Sequence, residues 1–120
     1  MSRDHRKLRV FQKADEAVIR VYRATQQFPV EERSGLQGQL RKAAVSTPTN
    51  IVEGCARRST ADDLRFLDVA AGSAAEARYL LGLSRRLGDI DTEESELLIS
   101  DYTEIPGGLQ NLIASLCHEL

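Results

Sequence analysis

Between Leu36 and Arg58 this 120-residue chain places a proline and a file of polar side chains inside an otherwise apolar stretch, "LQGQLRKAAVSTPTNIVEGCARR". Ser46, Asn50, Glu53 and Arg57 are spaced four, three and four residues apart, so on a helix they line up beside a second file, Leu40, Ala44, Thr47 and Ile51. A lone surface helix gains nothing from such a layout. The segment instead predicts a helix over about 36–57 that is buried on more than one side, its polar groups satisfied by specific partners. Pro48 has no N–H for the Ala44 carbonyl and its ring crowds that oxygen. In an isolated helix this costs about 3 kcal/mol, and a kink is expected. The hydroxyls of Ser46, Thr47 and Thr49 and the Asn50 amide are the groups placed to rescue freed backbone atoms.

Three further helices follow from period and punctuation. Phe11, Ala14, Val18, Val21, Thr25 and Phe28 keep helical spacing over about 8–28, with Glu16 and Arg20 as a local pair, and Pro29 ends the run. Ser59 or Thr60 caps a helix over about 60–87, with Asp62 or Asp63 three residues on. That helix carries two apolar files: Leu67, Ala71, Ala74 and Leu81 in one, Phe66, Ala70, Ser73, Ala77, Leu80, Ser84 and Leu87 in the other. Two files call for more than one partner, and "AAGSAA" at Ala70 to Ala75 suits a close helix crossing. The last helix, over about 92–118, begins at Thr92 with acids in its first turn. Its apolar phase, Leu98, Tyr102, Ile105, Leu109, Leu112 and Leu116, survives Pro106-Gly107-Gly108 as a kink or a brief interruption. Four helices with short links make an all-α, up-down-up-down four-helix bundle in a single domain, with a kinked second helix.

Composition supports this class and excludes others. Three Phe, three Tyr and no Trp leave little material for a sandwich or barrel. No apolar stretch reaches the roughly 20 residues of a membrane span, and "MSRDHRKLRV" has no apolar signal core, so a cytoplasmic protein without membrane contact is expected. Cys55 and Cys117 lack metal-ligand spacing and are expected to be reduced, and His5 and His118 have no clustered donors, so neither metal nor cofactor is expected. The net charge of −2 conceals +6 over residues 1–60 and −8 over residues 61–120. Such a division suits two attracting halves of a bundle, neighbouring subunits, or a basic surface for nucleic acid.

Arg41, Ser46, Asn50, Glu53, Arg57 and Arg65 form a candidate cluster. Charged and amide groups on one face can read phosphates or base edges, but Glu53 would repel phosphate, and a polar network fixing helix register is the stronger reading. Arg3, Arg6, Lys7, Arg9 and Lys13 are the candidate nucleic-acid contacts, set against an arm that is merely solvated. Aromatic residues interleaved with these basics are nearly absent, so any binding would be modest and salt-dependent. No G-x-S-x-G, H-E-x-x-H or P-loop appears, so no catalytic residues are assigned.

"LRVFQKA" at Leu8 to Ala14, "VYRATQQFPVEERSGLQGQLRKAAVSTPTNIVEG" at Val21 to Gly54 and "FLDVAAGSAAEARYLL" at Phe66 to Leu81 together resemble a bacterial family of four-helix-bundle proteins encoded by intervening sequences within 23S ribosomal RNA genes. That family is similar in turn to the accessory variability determinant of diversity-generating retroelements, which partners a reverse transcriptase. The resemblance implies a left-handed bundle assembled into a ring-like homopentamer, without established catalysis and linked to RNA or ribosomes. On that reading Phe66, Gly72, Ser73 and Leu80 belong to subunit packing. Phe11 stands where Trp is frequent, Thr47 and Val52 where Ile and Ala are usual, and Pro106-Gly107-Gly108 interrupts a normally regular last helix. The reverse-transcriptase partners are basic and this chain is acidic, which weakens a nucleic-acid role. The expectation is therefore a non-enzymatic, homo-oligomeric scaffold or accessory protein whose partners are its own copies and RNA or a ribonucleoprotein. The alternative is a nucleic-acid-binding accessory factor using the basic N-terminal half.

Overall fold

A computed structural model describes residues 3–120, and among them there is no β-strand. Four helices carry the chain: α1 (Arg9–Ala24), α2 (Leu36–Cys55), α3 (Thr60–Arg86) and α4 (Thr92–Cys117). Each packs on two others, α1 on α2, α2 on α3, α3 on α4 and α4 back on α1, without diagonal contact. Helices consecutive in the chain are thus neighbours in space and the ring closes, the arrangement of an up-down-up-down bundle. The result is a rod of 46 × 23 × 19 Å.

Helix ends follow from identifiable side chains. Ser59 accepts a hydrogen bond from the Asp62 amide at 3.1 Å and starts α3, Asp91 does the same for Glu94 at 3.1 Å and starts α4, and Gly88, at φ 76°, turns the chain between them. In α1 the apolar period runs to Phe28, yet the helix stops at Ala24. The Thr25 hydroxyl donates to the Val21 carbonyl at 2.8 Å, and the Gln37 side chain donates to the Thr25 carbonyl at 2.6 Å. These bonds stabilise a turn in which Phe28 remains buried, so the apolar spacing outlasts the helix that began it.

α2 stays helical through Pro48. Thr47, Thr49 and Asn50 each bond back to a carbonyl four residues earlier, those of Ala43, Val45 and Ser46. They flank the Ala44 carbonyl expected to be rescued rather than reaching it. α4 is likewise unbroken across Pro106-Gly107-Gly108. A Cβ on Gly108 would lie 3.0 Å from Val10 Cγ2, so this glycine lets α1 approach closely.

The two apolar files expected on α3 merge into one stripe, Leu67, Ala70, Ala74, Ala77, Leu81 and Ser84, all buried between α2 and α4. The two partners that layout demanded are present inside a single chain. Leu87, assigned to the second file, is exposed. α2 differs: its Val45, Thr49 and Glu53 point to solvent, so the chain itself covers only one side of it. At the end of the rod where the chain starts, Arg3, Ser59, Thr60, Asp63, Leu116 and Glu119 surround a small hollow of about 230 Å³.

Candidate functional site: polar seams along the bundle

The six polar residues grouped from sequence separate into three places. Ser46 and Asn50 form a half-buried knot between α2 and α3: the Asn50 amide donates to the Ser46 carbonyl at 2.8 Å and to its hydroxyl at 3.0 Å, and that hydroxyl lies 2.7 Å from Ser73 Oγ. The two hydroxyls and the Asn50 amide nitrogen are engaged with one another across the two helices, which is the pattern of a register pin. Ser73, assigned to subunit packing, is used here within one chain.

Glu53, Arg57 and Arg65 occupy the α2–α3 corner. Arg57 pairs with Glu53 at 2.7 Å and Arg65 with Asp62 at 3.2 Å, both in solvent. The two guanidiniums flank the Phe66 ring, 4.7 and 5.7 Å from its centre, which is a cation–π arrangement. Phe66 is half-buried, Gly72 is exposed with open space over it, and Leu80 is 5% exposed and enclosed by its own chain. Arg41 lies apart from the other five, donating to Thr25 Oγ1 at 2.8 Å and to the Tyr22 carbonyl at 3.1 Å, with its guanidinium 4.5 Å over the Tyr22 ring. It ties α2 to α1.

Most cations proposed as nucleic-acid contacts already hold carboxylates. Arg3 donates its amide to the Cys55 carbonyl at 2.9 Å and its guanidinium to buried Asp63. Arg6 pairs with Asp4 at 2.9 Å, and that guanidinium together with the Arg6 amide holds the Asp4 carboxyl at about 2. Lys13 binds Glu104 and lies 3.8 Å from Asp101; the Glu104 bond raises its pKa. Lys7 and Arg9 are exposed, and Arg9 borders a shallow hollow with Lys13, Glu16 and Glu104. Arg20 bypasses Glu16, its expected partner one turn earlier, and reaches across to Asp101 and Glu94 on α4. This cross-helix choice was hidden in sequence because the i, i+4 rule supplies a local candidate for every such residue.

Among the described residues no three His, Cys, Asp or Glu side chains gather closely enough to hold a metal ion. Cys55 and Cys117 are both free, and burial pushes the Cys55 thiol pKa up, which disfavours its reactive thiolate. No helix is long and apolar enough to cross a membrane among the described residues. Two apolar grooves complete the surface. One lies between α1 and α2, lined by Phe11, Val18, Val45, Pro48 and Val52, and the other, about 600 Å³, lies between α3 and α4. Sequence gave no warning of the second, because its floor is made of small residues that read as packing positions.

Comparison with known proteins places this geometry. The model of the 23S rRNA-intervening sequence protein family matches residues 6–111. The chain belongs to this family. A solved relative is a protein of unknown function from the S23 ribosomal protein family of Bacteroides thetaiotaomicron, 30% identical, with a TM-score of 0.78 over 87% of this chain and 97% of that one. No curated protein matches. The family span takes in every candidate residue named above except Arg3, and it stops within α4. Family and relative alike are of unknown function, and neither is an enzyme family by description.

Proposed function

We propose that this chain is a non-enzymatic, cytoplasmic scaffold or accessory protein that works as a homo-oligomeric ring, five-fold as the family resemblance implies, alongside RNA or ribosomes. The supporting observation is the uncovered face of α1 and α2. Val45 is exposed in the groove it forms with Phe11, Val18, Pro48 and Val52, beside Asp15 and Thr49, and Ile19 and Tyr22 are exposed further along α1. Contiguous apolar surface rimmed by polar residues marks association sites. A head-to-tail contact through such a face gives a ring when the rotation between copies closes. The corner of Phe66 and Val69 is a second exposed apolar element on α3.

Light scattering after size exclusion tests this reading directly. Assembly gives a mass about five times the 13.3 kDa of the chain, and a dilute, well-folded sample at 13.3 kDa overturns it. Val45→Asp, on an exposed position, lowers the subunit number without lowering helix content.

The alternative of a nucleic-acid-binding factor draws on one arrangement, the Arg57 and Arg65 guanidiniums on Phe66. Guanidinium–aromatic surfaces stack bases and contact phosphates. Each of these arginines also carries a carboxylate partner, so affinity would fall steeply with salt. A gel shift with structured RNA at two salt concentrations tests it, and absence of a shift at the lower salt removes RNA from the reading.

A further inference from the structure

The groove between α3 and α4 holds three features that the bundle does not use. The first is its floor. Ala75 and Gly82 on α3 contribute almost no side chain and Pro106 on α4 only a compact ring, and a Cβ added to Gly82 would meet nothing within 4 Å. About 600 Å³ is thereby left open, within the range of small-molecule sites. The second is a pair of cations. Arg78 and Arg86 both line the groove, eight residues apart on one helix, or about 12 Å. Neither makes an ion pair among the described residues, although most arginines elsewhere in this chain do. The third is Tyr102. It lines the groove, it is 0% exposed, and its hydroxyl has no hydrogen-bond partner. A buried donor without an acceptor costs about 1–3 kcal/mol, and such groups are rare in native proteins.

We infer that the α3–α4 groove binds a small amphipathic anion, a flat aromatic body lying on the Ala75–Gly82–Pro106 floor with a carboxylate or sulfonate held by Arg78 or Arg86. The aromatic body and the anion answer the first two of these features. The flat body covers the apolar floor and stacks on Tyr79, which is 61% exposed at the groove. The anion supplies the charge the two guanidiniums lack, in a geometry suited to bidentate contact. The other hollows lack this combination. Arg3 already occupies Asp63 at the chain-end hollow, and Lys13 is held by Glu104 between α1 and α4.

Fluorescence titration of the full chain with anilinonaphthalene sulfonate provides the test. The wild type gives a saturable signal that naphthoate displaces and the neutral naphthamide does not. Gly82→Trp fills the groove over open space, and Arg78→Gln with Arg86→Gln removes the cations at exposed positions, so both variants keep their helix content and melting temperature. Each weakens dye binding at least tenfold. Undiminished dye binding in Gly82→Trp and in the double arginine variant overturns the inference. Equal displacement by naphthamide removes the anionic requirement and overturns it too. A drop in subunit number for Gly82→Trp would show the groove to be a contact between copies and overturn the ligand reading.

Discussion

The α1–α4 contact and the α2–α3 contact close the same bundle by different physics. Between α1 and α4 the seam is ionic: Lys13 and Arg20 reach Asp101, with Glu104 and Glu94 beside them. Between α2 and α3 the seam is steric. Gly54 is buried where any side chain would collide with α3, and Ser46 meets Ser73 through paired hydroxyls. Part of the opposed charge of the two halves of the chain thus joins the first helix to the last. Fit carries the middle of the bundle, and charge closes its two ends in sequence. A steric seam tolerates salt, whereas an ionic seam weakens with it.

The largest effect that can break this distinction is at Gly54. An added Cβ would lie 2.6 Å from Asp63 Oδ1, 3.2 Å from its carbonyl oxygen and 3.3 Å from Phe66 Cβ. Gly54→Leu destabilises by about 3 kcal/mol in chemical denaturation, equally at low and high salt. Next comes the ionic seam. Asp101→Asn removes the negative charge shared by Lys13 and Arg20 at a site that is partly solvated, costing about 1 kcal/mol at low ionic strength. In 1 M salt that difference shrinks to a few tenths. If Asp101→Asn kept its full cost in high salt, the contrast between the seams would fail. A smaller loss, about 0.5–1 kcal/mol, is expected for Ser73→Ala, which leaves the Ser46 hydroxyl with Asn50 alone.

The smallest effect lies outside both seams. Asp4, with its carboxyl held at about 2 by the side-chain and amide bonds of Arg6, has a folded pKa below its unfolded value. Its contribution is present above the unfolded value near 4 and fades as pH falls toward 2. NMR titration of its side chain should show that low midpoint, and Arg6→Ala should return it to the ordinary range.

Sequence revealed the four helices because the apolar period and the caps agree. Ser59 and Thr92 mark starts that the structure places beside Asp62 and after Asp91. It extended α1 too far because burial of Phe28 imitates helix, while the Gln37 bond to the Thr25 carbonyl at the helix end joins residues twelve apart. The polar file of α2 was visible as a file, but its division was not. Arg41 turns to Tyr22, Asn50 to Ser46 and Arg57 to Phe66, and each choice depends on which neighbour the third dimension supplies. Arg20 is the clearest instance: sequence offered Glu16, and the fold offered two acids on another helix. The α3–α4 groove escaped notice for a related reason. Empty space has no residue of its own, and only after α4 is set against α3 do Ala75 and Gly82 become a floor.

The hollow shared by Arg3 and Glu119 has a practical corollary. Arg3 and Glu119 meet there, so a short glycine-serine bridge could join these two positions and new ends could be cut at Gly88 or Asp89 without severing a helix. Such a rewired chain would keep all four rods in place while reversing the order in which α1 and α4 are synthesised. It would thereby separate the order of synthesis from the architecture it produces.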